Sequence, residues 1–90
     1  MKRQLAVALG YDPERSEAPQ VLARGWGHMA EEILRLARAQ GVPVRHDDDL
    51  AQALGQLEVG ALIPPELYAA VSEVLAFLYR ANLMAFQRGG

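Results

Sequence analysis

Ninety residues, 51% apolar and 22% charged, fit one globular domain with a core of its own. There is no cysteine, which excludes disulfides and thiolate chemistry. The formal charge of −2 is uneven: residues 1–45 hold seven Lys/Arg against five Asp/Glu, residues 46–79 hold six acids and no Lys or Arg, and residues 80–90 add two arginines. With Lys2–Arg3 as the longest basic run, nucleic acid is not an expected partner.

The chain opens "MKRQLAVALGYDP". Two basic residues before an apolar run suggest a secretory leader, but such a leader needs roughly 7–15 apolar residues. Here Leu5–Leu9 is followed at once by Gly10, Tyr11, Asp12 and Pro13. No stretch approaches the ~20 residues that span a bilayer, so no direct membrane insertion is expected. Leu5, Val7 and Leu9 alternate with Ala6 and Ala8, the pattern of a short buried strand over residues 4–10.

A charged, proline-bearing loop, Tyr11–Pro19, leads to a second strand at 20–24, broken by Gly25-Trp26-Gly27. Met29, Ile33, Leu36, Ala37 and Gln40 then fall on one stripe of a helix over 28–40, with Gly41 placed to stop it. "VPVRH" reads as a third strand, 42–46. One of Asp47–Asp49 caps a helix over 48–57, whose Leu50, Ala51, Leu54 and Leu57 face inward. Pro65 suits a helix start, and Leu67, Val71, Val74, Leu75 and Leu78 form the apolar face of a long helix predicted over 65–86. The expected fold class is α/β, a small mixed sheet of about three strands with three helices packed on it, in a single domain spanning 1–90.

Chemistry is sparse. His46 beside Asp47, Asp48 and Asp49 has the composition of a hard-metal cluster, but adjacent residues converge poorly, and caps and dipole-facing carboxylates explain the run better. His28 lacks the motif context of a general base. Gly25-Trp26-Gly27 lacks the third glycine of a dinucleotide fingerprint and the Gly-Lys-Ser/Thr ending of a P-loop. Ser16 and Ser72 carry no catalytic signature. The expectation is no enzyme, no catalytic residue, no metal and no cofactor; an enzymatic reading survives only through the aspartate run.

Several stretches in order, "AVALGYDPERSEAPQVLARGWGHMAEEI", "VPV", "LAQAL" and "GALIPPELYAAVSEVLAFLY", resemble the cytoplasmic C-terminal domain of the FlhB flagellar biosynthesis and type III secretion switch family. The resemblance covers roughly residues 5–80. Its most specific parts are Ala6-Val7-Ala8-Leu9 with Tyr11-Asp12, Ala18-Pro19, and Ile63-Pro64 followed by Leu67-Tyr68, Val71 and Glu73-Val74-Leu75-Ala76. In the family a self-cleavage motif, Asn-Pro-Thr-His, lies just before this opening, and the asparagine side chain attacks its own backbone carbonyl. Here Met1-Lys2-Arg3-Gln4-Leu5 stand there, so cleavage through that amide cannot occur.

The resemblance therefore implies a stand-alone paralogue of the post-cleavage half; an excised piece of a longer chain would have the same ends. It implies a role in protein export, cytoplasmic or peripheral at the inner-membrane apparatus, with export gate proteins or early export substrates as partners. It also implies a shallow substrate-binding patch at Ala18, Pro19 and Leu75, with Ser72 where the family often has alanine. Leu75 fits a helix–sheet core equally well. The family's strand before the motif is absent, which predicts an open sheet edge able to accept a strand or to make a homo-oligomer.

Overall fold

The computed structural model describes residues 3–15 and 17–89; within its last helix the side chains of residues 73–75, 77 and 79–81 lie outside the description. The elements are β1 (Leu5–Gly10), β2 (Gln20–Trp26), α1 (His28–Ala39), β3 (Val44–His46), α2 (Asp48–Leu54), a 3₁₀ turn (Pro65–Leu67), α3 (Tyr68–Ala81) and β4 (Leu83–Arg88). They build a four-stranded mixed sheet in the order β2-β1-β4-β3. β1 is antiparallel to both β2 and β4, and β3 runs parallel to β4.

The alternation in β1 sorts the two faces of the sheet. Leu5, Val7 and Leu9 join Val21, Met84 and Phe86 in the main core, closed by Leu50, Ala51 and Leu54 of α2, Ile63, and Val71 and Leu78 of α3. The opposite face is paved with small residues, and there Ala6 meets Ala30 and Leu34 of α1. Alanines let the helix lie close, so α1 buries only Ala30, Leu34 and Ala37. The stripe expected from spacing is thus corrected. Met29 and Leu36 are exposed and Ile33 is half-buried, because a narrow helix strip is enough to cover a flat alanine surface.

Helix ends follow local rules. Gly41, at φ 71°, donates to the Arg38 carbonyl while Val42 N–H reaches that of Ala37, the paired bonds of a Schellman stop. Asp47 caps α2 by accepting from Leu50 N–H at 3.0 Å. That helix stops at Leu54 rather than 57, and Leu57 packs on the core from the loop beyond. β2 runs on to Trp26, past the expected break at residue 25, and β3 begins at Val44.

The main correction concerns residues 65–86, expected as one helix. Helical structure ends at Ala81, and Asn82 takes the left-handed conformation (φ 66°, ψ −21°). Leu83–Arg88 then form β4, the fourth strand, in the interior of the sheet. Leu, Met, Ala, Gln and Arg are good helix formers, so local propensity favoured the wrong answer. Tertiary pairing with strands on both sides overrides it.

The expected open edge is corrected with it. β1 has partners on both sides, and the sheet ends at β2 and β3. Even β2 is partly covered: Val21 N–H donates to Ala61 C=O at 2.9 Å, and Gly60 N–H to Val21 C=O at 2.7 Å.

Phe86 is the largest fully buried side chain among the described residues and belongs to β4. Phe86→Ala is expected to cost about 3–5 kcal/mol, read from the urea midpoint at an unchanged slope. A loss below about 1 kcal/mol would show that β4 is not part of the cooperative core.

Candidate docking cleft

At the end of β1, Gly10 faces Gln20 of β2 on one side and Leu83 of β4 on the other. The β1–β2 register shifts there: Ala8 pairs with Ala23 and Leu9 with Val21, leaving Leu22 as the extra, bulged residue. Because Gly10 has no side chain, Leu22 leans over it. A β-carbon at Gly10 would lie 2.7 Å from Leu22 Cδ1 and 3.3 Å from Leu83 Cδ2. The two leucines thus come together across β1 while staying 45% and 38% exposed.

Two shallow cavities meet at this pair. One, about 440 Å³, lies under the first loop against Tyr11, Asp12, Arg15, Ala18 and Asn82. The other, about 310 Å³, runs along the sheet to Ile33, Leu36, Ala37 and Val42. Together they form a cleft with an apolar floor and one polar end. Asp12 pairs with Arg15 (Oδ2 to Nε, 3.8 Å) and accepts from Glu14 N–H at 3.0 Å, which folds the loop into a turn. Tyr11 N–H donates to Asn82 C=O at 2.8 Å, tying the loop to the hinge before β4.

The residues singled out from sequence are distributed unevenly about this cleft. Ala18 is buried and lines the first cavity. Pro19 is buried beside it, its carbonyl accepting from Ile63 N–H at 2.8 Å. Ser72 is exposed on α3 and lines neither cavity; its Oγ donates to Ala69 C=O at 2.9 Å. The Leu75 side chain lies outside the described residues, as does the structure of Ser16. Leu22, Leu36 and Leu83 were missed as surface residues, since a leucine in a strand or on a helix stripe reads as core.

Other chemistry-bearing groups pair locally, on the surface or at element ends. His46 Nε2 lies 3.2 Å from Asp48 Oδ1, and the same oxygen accepts from Gly89 N–H. His28, almost fully exposed, is 3.5 Å from Glu31. Trp26 is half-buried, with the guanidinium groups of Arg3 and Arg88 at 5.3 and 5.5 Å from its ring centroid. On the outer side of α1, Arg35 donates to both carboxylate oxygens of Glu32, and the bond and the charge together hold the Glu32 carboxyl below its ordinary range. Among the described residues no three His, Asp or Glu side chains come together to hold a metal, and no helix is long and apolar enough to cross a membrane.

The sequence model of the FlhB HrpN YscU SpaS Family matches residues 3–78. The chain belongs to this family. Its members serve flagellar biosynthesis and type III protein export. The Bacillus subtilis protein YlqH is 41% identical over 77 residues, covering 86% of this chain and 83% of that protein. Flagellar biosynthetic protein FlhB of Aquifex aeolicus is 41% identical over 75 residues, and that of Yersinia enterocolitica 46% over 76. These matches take in 82% and 83% of the chain but only 21% and 20% of the FlhB proteins, so the chain spans about a fifth of their length. β4 lies beyond the stretch matched to the family.

Asp47→Ala is expected to remove the α2 cap and cost about 1 kcal/mol, read from the urea midpoint. A chelator is expected to leave that midpoint in place, and a fall on chelation would reopen the aspartate run as a metal site.

Proposed function

We propose that the chain is a non-enzymatic accessory or substitute module of the flagellar, type III protein export apparatus, acting without autocleavage on early export substrates or the export gate. Membership of the family supports the setting, and the apolar cleft at Leu22 and Leu83 carries the binding role. The residues that stand directly ahead of Ala6, Lys2-Arg3-Gln4-Leu5, differ from the family's Pro-Thr-His-Tyr, which supports the lack of cleavage there. The module works in the cytoplasm, peripheral to the inner-membrane apparatus.

Magnitudes suit a transit site. Burying an exposed leucine is worth about 1.5–3 kcal/mol, and Leu22, Leu36 and Leu83 are already half covered. Association costs about 4–15 kcal/mol in lost freedom. The complex is therefore weak and exchanges fast, as befits a receptor that must release what it holds. Of the patch that the resemblance implies, Ala18 lines the polar end of the cleft with Pro19 beside it, while α3, which carries Ser72 and Leu75, packs on the other face of the sheet.

Titration of isotope-labelled protein with peptide segments of early rod and hook subunits is expected to shift the amides of Gly10, Tyr11, Ala18, Leu22 and Leu83. Leu36→Lys, which keeps a good helix former with a charge suited to the helix end, is expected to abolish those shifts at a cost of about 1 kcal/mol in stability, because the side chain is half exposed. Peptides that move no resonance at millimolar concentration would remove the substrate-receptor role. Export that never responds to the chain, in cells lacking the downstream half of their membrane-bound FlhB, would remove the substitute role.

A further inference from the structure

The strand position between β1 and β3 is walled by residues 5–10 and 44–46 and filled by residues 83–88. Both walls lie inside the stretch matched to the family, residues 3–78, and the filler lies outside it. What the position demands can be read from burial. Met84 and Phe86 turn into the main core and Ala85, between them, toward the opposite face, all with 5% exposure or less. A filler must be extended and antiparallel to β1, with a small residue between two large apolar ones.

The connection to α3 is one residue long. Asn82 is left-handed, yet its N–H already reaches Leu78 C=O at 2.8 Å, as the next residue of the helix would. Rotating this single residue into the helical region continues α3 and carries residues 83–88 away from their own sheet. Those residues, Leu-Met-Ala-Phe-Gln-Arg, are mostly helix formers, so the segment is not committed to its strand by local preference. A short hinge under conformational strain invites exchange between copies.

We propose that the chain forms a strand-exchanged dimer, in which residues 83–88 of each copy fill the position between β1 and β3 of the other, with Asn82 as the hinge. The occupant's fit needs no further assumption, because it is the fit seen within the chain. Every β4 hydrogen bond and buried contact is remade between copies, so the hinge conformation and the concentration set the balance. The inference rests on the sheet and not on the export reading.

The chain has no cysteine, so Ala8→Cys with Ala85→Cys, which face each other across β1 and β4, reports the exchange directly. The protein is equilibrated in mild urea at micromolar and at millimolar concentration, returned to buffer and oxidised. A covalent dimer whose share grows with concentration, and which a reductant separates, is the expected result. Adding Asn82→Ala, which disfavours the left-handed hinge, is expected to raise the dimer by about tenfold per hinge, and Asn82→Gly to lower it. Only intrachain cross-links at every concentration would overturn the exchange. So would a dimer seen by light scattering whose cross-links stay intrachain, since it would pair through another surface. If Asn82→Ala fails to fold, the concentration series in the cysteine pair alone decides.

Discussion

The structure depends on the seating of residues 83–88 between β1 and β3. Six register pairs with β1 and three with β3 run along this strand, which is the one neighbour that β1 and β3 share. Phe86 and Met84 supply the middle of the main core from the same segment. The ends of the strand tie in more distant parts of the chain. Asp47 N–H donates to Gln87 C=O, Gly89 N–H to the Asp48 carboxylate, and Arg88 lies over Trp26. Elements 40 to 80 residues apart in sequence are therefore held by one short piece of backbone. Such non-local pairing is slow to form and all-or-none once formed.

The cleft uses the same strand. Leu83 is its wall on one side of Gly10 and Leu22 on the other, and the Asn82 carbonyl anchors the loop that makes its polar end. The fold thus builds the candidate cleft from a strand that also closes the core. A substitution that loosens β4 is bound to disturb the cleft as well. The half-exposed leucines away from β4, above all Leu36, are where the proposed binding can be tested with least disturbance to the sheet.

Local rules made much of this legible. The alternation in Leu5–Leu9 gave the strand and its two unequal faces, Asp47 gave a cap, and Gly41 gave a helix stop, each from chemistry within a few residues. The failures are failures of range. Nothing local tells Leu83–Arg88 from the tail of α3, because its residues suit a helix and its reason for being extended lies at residues 5–10 and 44–46. The phase error in α1 has the same origin. Met29 and Leu36 look like core until the sheet beneath is found to be alanine, which needs only a narrow strip to cover it. Of the residues the resemblance points to, Ala18 is found lining the candidate cleft, whereas Leu22 reaches it through a bulge that no spacing announces.

Whether the proposed binding and the proposed strand exchange would influence each other is decided by which residues a ligand touches. A ligand in the cleft touches Leu22 of one chain and Leu83 at the start of β4. If β4 arrives from a second copy, Leu83 arrives with it and faces the same Gly10. The cleft is then equally complete in both forms, and a ligand that binds two states equally shifts nothing between them. A ligand that instead reaches over the Asn82 hinge meets two different backbones, left-handed in one form and helical in the other. On the two proposals taken together, contacts at that hinge are what would couple a bound peptide to assembly, and the Tyr11 N–H to Asn82 carbonyl bond lies there.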